Sequence, residues 1–148
     1  MALHTNKDSA HIMHLIRKNT IGAEIGVWMG NTSTQFLKKG LKKFYMVDPY
    51  SVEPYKNSSE MTYQEWLAKY QPITGEIAEA GFQKFYERVW KEIKSRFEHM
   101  NEVELCRETS DSFFERYLAS KGHGNFEMLD WIYIDGNHSY EQCIKDLK

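Results

Sequence analysis

Glu24-Ile25-Gly26-Val27-Trp28-Met29-Gly30-Asn31-Thr32 runs from an apolar strand, through two glycines, into a helix start. Glycine at 26 and 30 lets the backbone turn tightly and lets a ligand approach the chain closely. The helix that follows offers free N–H groups at its start. A plain strand-to-helix turn uses glycine in the same way, so the run alone leaves both readings open. Its spacing is not G-x-G-x-x-G, so the dinucleotide fingerprint is absent. The acid two residues before the first glycine suits a cationic ligand better than a pyrophosphate.

Outward from this turn, strands and helices alternate. Upstream, Ile12, Leu15 and Ile16 share a face and predict a helix from Asp8 to Lys18. The strand before the turn is expected over Ala23 to Val27. Downstream, Thr32 and Gln35 stand at capping-box spacing, and Gly40 sits where a terminal glycine belongs. Phe44-Tyr45-Met46-Val47 reads as a second strand, stopped by Asp48-Pro49. A helix is predicted from Glu76 to Phe97, because Phe82, Phe85, Tyr86, Val89, Ile93 and Phe97 follow three-and-four spacing. Val103 to Cys106 is a third strand. A helix from Asp111 to Ser120 follows, with Ser112 and Glu115 at capping-box spacing. Trp131 to Ile134 is a fourth strand, and Ser139 and Gln142 suit one more helix start.

Such alternation implies a parallel sheet covered on both faces. Right-handed crossovers place all strand C-termini along one edge, where ligands bind. The polar clusters fall at those ends: Gly26 to Gly30, Asp48 to Tyr50, Glu108 to Asp111, and Asp135 to His138.

Composition narrows the function classes. The chain has 148 residues, with 19 basic and 21 acidic side chains and a net charge of −2. That length fits one domain, 1–148, with one core. A near-neutral balance argues against a nucleic-acid partner, which selects a basic excess. No apolar run reaches the roughly 18–20 residues of a membrane span, so no membrane partner is expected. No secretory leader is recognisable, and a cytoplasmic location is expected. Cys106 and Cys143 read as free thiols in a reducing compartment.

Each cluster has a chemical reading and a plainer one. Asp48, at the end of the second strand, can accept hydrogen bonds from both hydroxyls of a ribose, or simply shape a turn. Thr109-Ser110-Asp111 can face an adenine ring or cap a helix. In Asp135-Gly136-Asn137-His138, an acid at a strand end precedes a histidine by three residues. That places a potential metal ligand beside a potential general base, although a loop histidine is often only solvated. The other histidines show no zinc-type spacing. Tyr55, Tyr63, Trp66 and Tyr70 lie in a long connection over residues 50–100, as a lid over the cleft or as a packed aromatic layer.

With these motifs in order, the chain resembles the class I S-adenosylmethionine-dependent methyltransferases. Glu24-x-Gly26-x-x-x-Gly30 looks like that fold's first motif, and Val47-Asp48-Pro49-Tyr50 like its second. Asp135-Gly136-Asn137-His138-Ser139-Tyr140 looks like the branch with a D-G-x-H-S-Y segment, similar to sugar and macrolide O-methyltransferases. The resemblance implies an α/β, Rossmann-like sheet of order 3-2-1-4 that binds S-adenosyl-L-methionine. Gly26, Gly30, Asn31 and Thr32 would line its methionine part, with Glu24 beneath the amino group. Asp48 would hold the ribose, Ser110 would face the adenine, and Asp135 would lie nearest the sulfonium. The same resemblance gives Asp135 a Mg²⁺ and makes His138 a base that deprotonates a hydroxyl on a small-molecule acceptor, sugar or phenol-like.

The family's sheet has seven strands, and four are legible here. The expectation is a fold truncated before its fifth strand, which lowers the prospects of a complete metal site. The fourth strand would be an open edge, able to pair with a second copy over Trp131 to Ile134. A non-catalytic module that assembles through this edge is therefore the alternative to an enzyme.

Overall fold

The computed structural model describes residues 12–56, 62–75, 79–124 and 126–136. Its strands are β1 (Ile21–Ile25), β2 (Lys43–Val47), β3 (Val103–Cys106) and β4 (Trp131–Ile134). They form one sheet in the order β3-β2-β1-β4, and every pairing is parallel. The helices are α1 (Asn31–Leu37), α2 (Glu53–Lys56), α3 (Tyr63–Thr74), α4 (Glu79–Phe97) and α5 (Ser110–Ala119). This is the α/β architecture and strand order anticipated above.

Register decides where the chain leaves the sheet. Ile25 pairs with both Val47 and Ile134, and Val47 pairs with Cys106. The last residues of all four strands therefore stand in one row, and the segments after them share one lip.

Side chains alternate across a strand, so each strand feeds two cores. Ile21, Ala23 and Ile25 join Tyr45, Val47, Cys106 and Phe113 on the α5 side. Phe44 and Met46 face the other way, into a larger core with Phe36, Trp66, Phe82, Tyr86, Ile93 and Phe97. The six residues that predicted the long helix are all buried in it. Gly22 makes room on this larger side: a Cβ there would lie 2.1 Å from the Trp131 ring. That ring packs on Phe36 at 4.8 Å and Phe44 at 5.8 Å, and its Nε1 donates to the Thr20 hydroxyl at 3.0 Å.

Several local expectations need correction. Among the described residues of the segment preceding β1, a 3₁₀ turn forms at Met13–Leu15 and Ile16 is already extended, while residues 8–11 of the expected helix lie outside the described residues. The chain must turn there to enter the sheet, and Asn19 does so with φ 62°, donating its N–H to Gly40 O at 2.8 Å. β1 starts two residues earlier than expected and stops at Ile25, because Gly26 takes φ 91°. Neither expected capping box forms. Left-handed Gly30 is the N-cap of α1 without a side-chain cap bond, and Thr32 is buried inside the first turn. Thr109 caps α5, accepting from Ser112 N at 3.3 Å, so the cap stands one turn ahead of the expected one. Residues 76–78 and the helix start at Ser139 and Gln142 lie outside the described residues.

Among the described residues, no helix is long and apolar enough to cross a membrane. Among them β4 pairs with β1 alone, and Ile132, on the α5 face of the sheet, is 41 % exposed.

Candidate functional site

A cleft of about 550 Å³ opens beyond the C-terminal ends of the strands, within the usual size range for a small-molecule site. The C-terminal end of each strand, or the segment just after it, contributes: Ile25 and Gly26, Val47 to Pro49, Glu108 to Asp111, and Gly136. Ser51, Glu53, Pro54 and Tyr55 close the far side. The lining carries the acids Asp48, Glu53, Glu108 and Asp111 and, among the described residues, no lysine or arginine. Glu53 pairs with Lys56, and Glu108 with Arg116. Burial alone would raise the Glu108 carboxyl, but Arg116 and the Ser112 hydroxyl hold it below the usual range.

The two glycines prove to be packed against protein. Gly26 donates its N–H to Val47 O at 2.8 Å. A Cβ on Gly26 would come within 2.3 Å of the Asp135 carbonyl oxygen. One on Gly30, at φ 74°, would meet Ile93 at 2.9 Å and Phe97 at 3.0 Å. The turn is thus wedged between β4 and α4. Asn31 is exposed at the first position of α1, and Thr32 is buried behind it.

Asp48 is engaged mainly by the protein itself. Its Oδ2 accepts from Trp28 N at 3.0 Å and its Oδ1 from Tyr50 N at 2.9 Å. Burial raises its carboxyl, and the N–H groups of Trp28, Tyr50 and Val27 pull the other way. A carboxylate has about four acceptor positions, so part of that capacity remains on the cleft side. The Tyr50 hydroxyl donates to Trp28 O at 2.7 Å. Both partners are left-handed, Trp28 at φ 52° and Tyr50 at φ 46°.

Glu24 is 1 % exposed and lies one residue before the cleft-lining Ile25, on the opposite face of β1. The Ser33 hydroxyl of α1 donates to its carboxylate. Desolvation pushes its carboxyl up to about 8, Ser33 resists, and the nearby Asp135 and Asp48 charges push it further. Asp135 donates its backbone N–H to Ile25 O at 2.8 Å, which fixes the end of β4 beside Gly26. Glu24, behind the cleft, therefore stands close to Asp48 and Asp135 near the end of β1.

The third cluster divides its work. Thr109 takes the capping role, while Ser110 and Asp111 line the cleft with it. In the described part of the long connection the aromatic rings pack on one another, and Tyr55 also lines the cleft. Tyr55 stacks on Trp66 at 4.5 Å, and Trp66 also meets Tyr63, Tyr70 and Phe82. Asn137, His138 and Cys143 lie outside the described residues. No group of three or more His, Cys, Asp or Glu among the described residues is placed to hold a metal ion. The expectation of Mg²⁺ at Asp135 thus finds no ligand cluster there among the described residues.

Sequence reasoning missed the roles of Ser33, Arg96 and the Trp28–Tyr50 pair. Arg96 donates from α4 to Met29 O at 2.8 Å and to the Thr34 hydroxyl at 3.1 Å, bracing the glycine turn. No spacing rule announces a contact between residues so far apart in the chain. For Tyr50 a signal existed in its place beside Asp48-Pro49, where a buried ring reads as core unless its hydroxyl partner is known.

A family model described as a methyltransferase domain matches residues 23–148. No curated protein matches the chain.

Proposed function

The chain belongs to that methyltransferase domain family, and from this premise we propose that it methylates a hydroxyl of a small molecule, sugar or phenol-like, using S-adenosyl-L-methionine. The observation that carries the reading is the cleft shared by all four strand ends, acidic in its lining and without lysine or arginine among the described residues. Such a lining suits a cationic sulfonium and disfavours a pyrophosphate, which speaks against a nicotinamide dinucleotide.

When bound, the cofactor supplies an electrophilic methyl group on a sulfonium. Transfer is an in-line displacement, so alignment dominates over acid catalysis. Asp48 offers its remaining acceptor capacity to the ribose, and Ser110 faces the adenine. Gly26, Gly30, Asn31 and Thr32 form the turn around the methionine part, with Glu24 beneath it. Asp135 lies toward the sulfonium and the acceptor. The acceptor hydroxyl must lose a proton, and His138 is our candidate base on the strength of its place in the sequence.

Calorimetric titration with S-adenosylhomocysteine tests the proposal. Binding is expected, weakened roughly tenfold or more by Asp48→Ala, since both a turn contact and a ligand contact are lost. His138→Ala is expected to spare binding and slow turnover. No detectable binding of S-adenosylhomocysteine at millimolar concentration sinks the reading.

A second reading has its own observation. The outer edge of β4 is unpaired among the described residues, and Ile132 beside it is exposed on the α5 face of the sheet. We propose that a second copy pairs there, over Trp131–Ile134. Sedimentation shows a dimer that Ile132→Lys disperses, or a monomer that refutes it.

A further inference from the structure

We propose that Tyr50 is a positioning residue for the cofactor turn. Its buried hydroxyl clamps Trp28 in the left-handed conformation that gives the Gly26–Gly30 turn its binding shape. The inference rests on the functional reading above and adds a residue to it.

Residues with a side chain rarely adopt positive φ, and bulky ones least of all. Trp28 and Tyr50 both do, at 52° and 46°, and they face one another across the β1 and β2 ends. Two such residues persist where the surroundings over-determine them. Here three hydrogen bonds do so. Asp48 accepts from both backbone N–H groups, and the Tyr50 hydroxyl returns to the Trp28 carbonyl at 2.7 Å. Both sides of the Trp28 backbone unit are thereby fixed, N–H by Asp48 and C=O by Tyr50.

The clamp has firm anchors. Tyr50 is 2 % exposed and packs against Trp90 at 5.6 Å. The Trp28 ring packs against Phe85 at 5.7 Å and Tyr86 at 5.8 Å, so α4 holds the outer end of the turn. Asp48 lines the cleft, whereas the Tyr50 hydroxyl is spent on Trp28. Any effect of that hydroxyl on ligand affinity must then travel through the turn.

The test is titration of S-adenosylhomocysteine into the wild type, Tyr50→Phe, Trp28→Gly and the double variant, with backbone amide exchange measured on the ligand-free proteins. Tyr50→Phe keeps the ring and removes one buried hydrogen bond. We expect affinity to fall about five- to tenfold and exchange at Trp28 and Met29 to quicken. Glycine adopts positive φ unaided, so in the Trp28→Gly background removal of the hydroxyl should cost less than half as much on a logarithmic scale. Unchanged affinity in Tyr50→Phe, or an equal loss in both backgrounds, overturns the clamp. Where the Trp28 variants fail to fold, Tyr50→Phe alone decides through affinity and exchange together. If the wild type does not bind S-adenosylhomocysteine, the functional reading fails. The clamp is then judged on exchange, and unaltered exchange at Trp28 refutes it.

Discussion

The two faces of the sheet are built differently. Among the described residues, the α5 face is thin and apolar: Ile21, Ala23, Ile25, Tyr45, Val47 and Cys106 meet a helix that buries only Phe113. The opposite face is deep, and it holds the buried polar residues Glu24, Thr32 and Ser33 among its aromatic rings. Burying a carboxyl costs heavily unless it is neutral or hydrogen-bonded. A deep aromatic core can bear that cost, and the one helix that covers the other face among the described residues has little to set against it. This contrast explains why Glu24, Ser33 and the Trp28–Tyr50 clamp all lie on the deep face, while the thin face serves to carry α5 and its cap to the cleft.

The largest expected difference is in core truncation. Phe36→Ala opens a cavity enclosed by Phe44, Trp131 and Tyr133. It should cost about 4–5 kcal/mol, the upper part of the range for such a change. Phe113→Ala removes a ring packed on Tyr45, Phe114 and Tyr117. The latter two lie on the same helix and can settle into the gap, so the cost should be nearer 3 kcal/mol. Chemical denaturation measures both, and a larger loss for Phe113→Ala breaks the comparison.

Glu24 sharpens it next. Its folded carboxyl titrates near 8 because burial disfavours the charge, against 4.5 in the unfolded chain. Between those values the folded state holds a proton that the unfolded state has released. Stability is therefore greatest below pH 4.5 on this account, and falls as pH rises toward 8. The swing should be roughly 3–5 kcal/mol. Glu24→Gln removes it, flattening the pH profile of the denaturation midpoint in that window and stabilising the protein at pH 8. An unchanged slope in the variant means that the carboxyl is not held neutral.

The smallest effect belongs to the thin face. Thr109→Ala deletes the cap of α5 and should cost about 1 kcal/mol, read as a fall of a few degrees in Tm. No change means the exposed Ser112 N–H is equally well served by water.

Much of this fold was legible because the signals are local. Period-two and period-3.6 patterns set β2, β3, β4 and the buried face of α4, with β3 and β4 at the observed boundaries. Caps were less legible: Thr32, Gln35, Ser112 and Glu115 have the right spacing, but Gly30 and Thr109 already occupy the capping positions. A spacing rule states which residues can cap, and the backbone path decides which do. The segment before β1 failed for a related reason, since entry into the sheet overrides a helical pattern from Ile16 onward.

By itself the sequence determined the alternation of elements, hence a parallel sheet, and it placed the polar clusters at strand ends. Those follow from side-chain periodicity and from the handedness of crossovers. Only the tertiary structure decided what the clusters do to one another. It brings Asp135 against Gly26, turns Glu24 away from the cleft into the deep core, and spends much of Asp48 on two backbone N–H groups. It also joins Tyr50 to Trp28. Apart from the bond between Asp48 and the Tyr50 N–H two residues on, these depend on residues more than a strand apart in sequence, where burial and register, rather than spacing, set the partners.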